Sequence, residues 1–375
     1  MRSRRMSLAA RLAMGGLCAA MATLGLGAAG AASASTNTGR TWQVLVGAQA
    51  GNHAIQTMGF YPTHLWVDQG DRVVFKANSA EIHTVTFLSK ADPCPETELC
   101  ALPPQGFNPG DMRQSTRQGT HTYDGSGYYN SGILSATRGD TGPLPPFVQV
   151  YHRYTLRFPD SLAPGTYRYY CLVHGKPMQG SVIVQAKGTP YPYGQKLYQQ
   201  RVQHGITRDI RDGYALWKSA RAEDRQLTHQ SGHPTVLVGA MDDRAMVMRF
   251  IHSHVRIHAG RRVTFLNTGM GEPHTVTFGD DQTGCGQPPC NPEQPWNVAM
   301  RKDGQEKAVY PGHNGGFTGG RKNLNSGLLL GGPTAMTGVP NSLTIRFRHA
   351  GTFDYVCALH DYMGMVGSVR VEPRS

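Results

Sequence analysis

An internal duplication constrains this 375-residue chain more than any other feature. Val44-Leu45-Val46-Gly47-Ala48 returns as Val236-Leu237-Val238-Gly239-Ala240, residues 60–75 (FYPTHLWVDQGDRVVF) return as 250–265 (FIHSHVRIHAGRRVTF), and His83-Thr84-Val85-Thr86-Phe87 returns as His274-Thr275-Val276-Thr277-Phe278. A short loop with two cysteines follows in each copy, then Asn130-Ser131-Gly132-Ile133-Leu134 against Asn325-Ser326-Gly327-Leu328-Leu329. The segment from Tyr154 through Cys171 finally answers that from Leu343 through Cys357. Echoes kept in one order mean one folding unit used twice. Residues 41–186 and 233–375 are therefore read as two domains, each long enough to bury its own core.

Apolar and polar residues alternate within the repeated segments, and short Val, Thr, Tyr and Phe runs are broken by Gly, Asn and Asp. Only 17% of residues are charged, against 46 Gly and 24 Pro, so the fold class expected is all-β, two tandem sandwiches. The alternation in 60–75 and 250–265 runs into a Gly turn and out again, as two paired strands would. Residues 187–232 form a connector in which Leu197, Val202, Ile206, Ile210 and Leu216 recur at loosely helical spacing after Pro190 and Pro192, predicting a helix over 194–225 that packs on one or both domains. The Gly- and Pro-rich stretches 88–150 and 279–325 read as excursions over a sandwich end.

Residues 1–34 carry Arg2, Arg4 and Arg5, an apolar stretch and Ala32-Ser33-Ala34, the plan of a signal peptide cleaved after Ala34. Sec and twin-arginine routes both fit. No later apolar run is long enough to span a bilayer, so a soluble secreted or periplasmic protein is expected. The formal charge of +12 divides into +5 over residues 1–40, 0 over 41–186, +4 over 187–232 and +3 over 233–375. Without the signal no basic stripe interleaved with aromatics remains, which argues against nucleic-acid binding.

In an exporting compartment thiols normally pair. Cys94 with Cys100, and Cys285 with Cys290, are spaced to clip their loops as local disulfides. Cys171 and Cys357 stay single, and each opens a dense motif. Cys171-Leu172-Val173-His174 leads to Met178, and Cys357-Ala358-Leu359-His360 leads to Met363 and Met365, with His83 and His274 upstream. One thiolate, two imidazoles and a weak thioether are the donor set that lets copper cycle between Cu(I) and Cu(II) with little rearrangement. Two type 1 copper ions per chain are expected, at His83, Cys171, His174 and Met178, and at His274, Cys357, His360 and either Met363 or Met365.

Both copies resemble the plastocyanin, pseudoazurin and amicyanin group of blue copper proteins, the cupredoxins, over nearly all of the chain outside signal and connector. The resemblance implies Greek-key sandwiches and single-electron carriage between redox partner proteins. The segment 165–174 is similar to the ligand hairpin of plastocyanin. His360-Asp361-Tyr362-Met363-Gly364-Met365 resembles the pseudoazurin loop, in which the second Met is the ligand. This favours Met365, with Met363 the alternative on amicyanin spacing. Thr84 and Thr275 stand where these families usually have Asn, and Val173 and Leu359 where they have Pro.

His252, His254 and His258 alternate along a strand and offer a possible second metal face, although only His254 has a counterpart, His64. A two-domain copper oxidoreductase resembling nitrite reductase or laccase needs more histidines in set places. Tyr170 and Val356 precede the two cysteines instead of His, and His252-Ser253-His254 is the only His-x-His. Copper storage uses the same ligands but tends to be richer in Met and His. An electron carrier rather than an enzyme is the expectation.

Overall fold

A computed structural model describes residues 39–89, 107–137 except 109, 144, 147–278 except 270, 324–332 and 338–374. The expected signal and the four loop cysteines, Cys94, Cys100, Cys285 and Cys290, lie outside these residues. The first half holds β1 (Thr41–Gln49), β2 (Ile55–Tyr61), β3 (His64–Asp68), β4 (Arg72–Ala77), β5 (Thr86–Phe87), β6 (Arg117–Gln118), β7 (Tyr129–Ser131), β8 (Ile133–Leu134), β9 (Val150–Tyr151), β10 (Arg153–Arg157), β11 (Gly165–Cys171) and β12 (Gly175–Gln185). The second half holds β13 (Thr235–Met241), β14 (Ala245–Phe250), β15 (His254–His258), β16 (Arg262–Leu266), β17 (Thr277–Phe278), β18 (Leu324–Asn325), β19 (Ser342–Arg346), β20 (Gly351–Val356) and β21 (Val366–Glu372). The protein is mostly β, as expected.

Each half faces one sheet against another. In the first, β10-β4-β1-β2 opposes β3-β12-β11-β5-β7-β6; in the second, β14-β13-β16-β19 opposes β15-β21-β20-β17-β18. The segments 60–75 and 250–265 depart from expectation. β3 pairs in parallel with β12 while β4 pairs with β1 and β10, so the Gly70 turn crosses between sheets instead of closing a hairpin. The repeat does the same with β15 on β21 and β16 on β13. The physical reason is that Leu65 and Val67 on one strand, and Val73 and Phe75 on the next, all point into one core from opposite sides. Alternation specifies a buried face, not a partner. The stretch 88–150 is likewise more than an excursion, because β7 extends the second sheet beside β5.

Each core centres on a tyrosine. Tyr169 packs edge-on against Phe60 and Phe75, and Tyr355 likewise against Phe250 and Phe265. The hydroxyls differ: Tyr355 donates to the Ser253 carbonyl at 2.9 Å, whereas the buried Tyr169 hydroxyl has no partner. Tyr355→Phe should therefore cost about 1 kcal/mol, and Tyr169→Phe should be neutral or stabilising. Denaturant unfolding of the two variants checks this, and equal losses would contradict it.

The halves are not merely tethered. β2 pairs antiparallel with β14 through Thr57–Ala245, Gln56–Met246 and Ile55–Val247, fusing two four-stranded sheets into one of eight. The connector forms one helix, Gln195–Ser231, which runs six residues past the end that its apolar spacing indicates and stops at Gly232 in the left-handed region. It lies over that seam. Its most buried positions are Tyr198, Asp209, Gly213, Ala220 and Asp224 rather than the predicted apolar set. Gly213 allows contact so close that a Cβ there would meet Ile55 at 2.3 Å. Asp209 accepts from the Tyr61 hydroxyl at 2.7 Å and Asp224 from the Leu237 amide at 3.1 Å, holding the helix to both halves. Among the described residues no helix is long and apolar enough to cross a membrane.

Candidate metal centres

Cys171 ends β11, His174 sits in the tight turn, Met178 returns on β12, and His83 arrives from the approach to β5. The second half repeats this, with a turn of 3-10 helix, Asp361–Met363, between His360 and Met365. His83 Nδ1 and His174 Nδ1 are 3.2 Å apart, and Cys171 Sγ lies 3.9 and 3.4 Å from them. His274 Nδ1 and His360 Nδ1 are 3.0 Å apart, with Cys357 Sγ at 3.8 and 3.5 Å. A metal bonded at about 2.0 Å to nitrogen and about 2.3 Å to sulfur in a trigonal plane would hold its donors roughly 3.5–3.7 Å apart. Both triangles fit such an ion.

Met178 and Met365 are fully buried and each packs in the same core cluster as its cysteine. Met363 packs instead into the core of the first half. That divides the two candidate axial residues: Met365 shares the surroundings of Cys357, and Met363 serves the contact between halves.

The surroundings hold the donors in place. Thr84 offers its amide to Cys171 Sγ at 3.4 Å, while its hydroxyl accepts from the Leu172 amide at 2.8 Å. Thr275 does the same for Cys357 and Ala358, at 3.3 and 2.7 Å. A short side chain that ties the ligand loop to the upstream histidine strand thus stands where the resemblance leads one to look for Asn. Gly47 and Gly239, in the repeated Val-Leu-Val-Gly-Ala motif, have φ of +68° and +80°, and a Cβ on either would fall 2.4 Å from Nε2 of His83 or His274. The glycines leave room for the imidazoles, a role that the repeat alone did not disclose.

Burial sets the protonation of the two pockets. It lowers His83 and His274 well below the ordinary imidazole value, with the facing His174 or His360 adding to the effect. His174 falls to about 4 through burial, against the pull of Glu272. These imidazoles are neutral at neutral pH, with lone pairs free for a metal. Burial pushes the Cys171 thiol up to about 11 despite the Thr84 amide. A cation entering this pocket must displace that proton.

Outside the two triangles, one more cluster stands out. A nitrogen of His174 and one oxygen each of Glu81 and Glu272 lie within 4.8 Å of one another, all buried. The outer Nε2 of His360 is 3.1 Å from Glu272 Oε1 and 3.9 Å from Glu81 Oε2. For His360, burial alone would lower the pKa, but Cys357 and Glu272 together outweigh it and raise it well above the ordinary value. Burial, and then the neighbouring Glu272 carboxylate, push Glu81 up to about 8. The sequence held a signal for this cluster in Glu81-Ile82-His83 and Glu272-Pro273-His274, one glutamate two residues before each upstream histidine.

His252, His254 and His258 do not converge. His252 contacts Asp224 at 3.4 Å, His254 Nδ1 lies 2.9 Å from Ser368 Oγ, and His258 Nδ1 lies 3.0 Å from the Pro373 carbonyl. His64 makes the same kind of contact with Ser181, at 2.8 Å, which makes His254 a repeated strand-edge residue.

Residues 235–372 match the family model of copper binding proteins, plastocyanin/azurin family. No curated protein sequence matches the chain. Among solved structures, amicyanin from Paracoccus versutus is 20% identical, overlapping 37% of this chain and 81% of that one with a TM-score of 0.20. Plastocyanin from Dryopteris crassirhizoma is 16% identical, overlapping 37% of this chain and 99% of that one with a TM-score of 0.20. The family match carries the assignment: residues 235–372 are a domain of the plastocyanin/azurin family of copper binding proteins.

Proposed function

We propose that this protein is an exported dicopper blue-copper protein, with one type 1 copper in each half, that carries single electrons between redox partner proteins and is not itself an enzyme. The observation that carries this reading is the duplicated triangle of two Nδ1 atoms and one Sγ with a buried methionine in the same core. Bound copper supplies a one-electron Cu(I)/Cu(II) couple. The chain does the rest: β11 and β12, with their counterparts β20 and β21, hold Cys, His and Met on a rigid sandwich end, and Thr84 and Thr275 steady the thiolate. Ligands fixed this way resist rearrangement when the charge changes. Residues 1–34 support export and delivery as a soluble protein to the periplasm or beyond.

One observation favours a second reading. The cluster of Glu81, His174 and Glu272 offers a place for a third ion, as a two-domain copper oxidoreductase with an extra type 2 site would require. A copper count with electron paramagnetic resonance on the loaded mature protein separates the two. The carrier gives about two coppers per chain, both with the narrow hyperfine splitting of a thiolate-bound site. An additional ion with a normal type 2 signal would support the oxidoreductase.

A further inference from the structure

The two metal pockets face each other. Of the two imidazoles whose Nδ1 atoms belong to each donor triangle, one turns its Nε2 towards the other half, His174 in the first half and His360 in the second. In an isolated sandwich such an outer edge would meet solvent. Here His174 is 7% and His360 5% exposed, because the second half's ligand turn docks on the first half. Tyr362 donates its hydroxyl to the Ala80 carbonyl at 3.3 Å, Met363 enters the first core, and Arg249 donates to the carbonyls of Met363 and Asn52, each at 2.6 Å.

Between the outer edges stand Glu81 and Glu272, 3% and 6% exposed. Glu272 Oε1 lies 3.1 Å from His360 Nε2. His174 Nε2 and Glu81 Oε2 are both buried without a hydrogen-bond partner, and the two residues belong to the same cluster. Two unpaired polar atoms of complementary type, one a potential N–H and the other a carboxylate oxygen, are costly when buried apart and stable when joined. Charge agrees with this. A Cu(II) ion with one thiolate leaves a net positive charge in each pocket, and the Glu272 carboxylate beside both outer imidazoles offsets part of it.

We propose that Glu81 and Glu272 form a carboxylate bridge between His174 and His360, making the two pockets one coupled unit that exchanges electrons internally. This rests on the dicopper reading above. The step is balanced: the electron lost by one pocket is gained by the other, and no bond or proton changes hands. Glu272 also holds the outer N–H of His360, which keeps Nδ1 turned towards the metal.

The test uses the full-length, copper-loaded protein, with a photogenerated one-electron reductant supplied below stoichiometry. Redistribution between the sites should be first order, with a rate independent of protein concentration. A rate proportional to protein concentration means exchange between molecules and overturns the bridge. In the Glu81→Gln/Glu272→Gln variant both type 1 signals should persist. Both reduction potentials should rise, because the negative charge of Glu272 beside His174 and His360, which favours Cu(II), is gone. Redistribution should slow by about tenfold, the scale of losing the one charge-assisted contact of Glu272 with His360. Unchanged potentials, or a third ion in the wild type that the variant loses, would overturn the proposal. If the variant does not fold, the concentration dependence of the wild type still decides. Absence of type 1 signals from the loaded wild type refutes the dicopper reading itself, a different outcome from two type 1 sites that fail to exchange.

Discussion

Cys171→Ser should lower bound copper from about two ions per chain to about one and remove one thiolate charge-transfer band, leaving the other in place. Cys357→Ser should do the reverse. The expectation follows from how the pockets are built. Cys171 and Met178 sit in one core cluster and Cys357 and Met365 in another, and each triangle takes all of its donors from its own half. Serine keeps the shape but offers a hydroxyl whose proton a soft cuprous ion does not displace. The bridge between the pockets predicts a shifted potential at the surviving site, not its loss. Copper counting and visible absorption on each variant are the check, and disappearance of both bands from either single variant would contradict two separately built pockets.

Gly239→Ala should empty the second pocket while leaving the first loaded. At φ +80° an L-residue costs about 1–2 kcal/mol, and the new methyl would also sit 2.4 Å from His274 Nε2. The imidazole must move, and with it one of the three donors. Gly47→Ala, with φ +68° and the same distance to His83 Nε2, should do this to the first pocket. Gly188 supplies the control, since its φ is +84° but a Cβ there meets nothing within 4 Å. Gly188→Ala should lose only the backbone share of stability and keep full copper. Unfolding midpoints together with copper counts distinguish the cases, and a Gly239→Ala protein with full copper would sink the steric argument.

The ligand residues were legible because their chemistry is rare and their spacing repeats. Cys171-Leu172-Val173-His174 and its copy are local, so a tight turn after a strand is enough to bring sulfur and nitrogen together. His83 and His274 were legible only through the duplication, since 88 residues of chain separate His83 from Cys171 and 83 separate His274 from Cys357. Strand pairing was less legible. The alternation around Gly70 and Gly260 marks a buried face on both strands, which a hairpin and a sheet-to-sheet crossing satisfy equally. The helix runs on past Arg225, where Leu227 packs on the seam and Thr228 accepts from the Thr235 amide, contacts that the apolar spacing does not mark.

Composition, repeat and motif thus determine an all-β chain of two like halves and the donors of two metal pockets, because those properties depend on neighbours close in sequence or on the same pattern written twice. The seam between β2 and β14 belongs to the tertiary structure alone, as do the helix across it and the facing of His174 and His360 over Glu81 and Glu272. Nothing local distinguishes a glutamate in solvent from one enclosed between two imidazoles. The difference arises when one half's ligand turn docks on the other, removes water, and encloses both carboxylates beside His174 and His360.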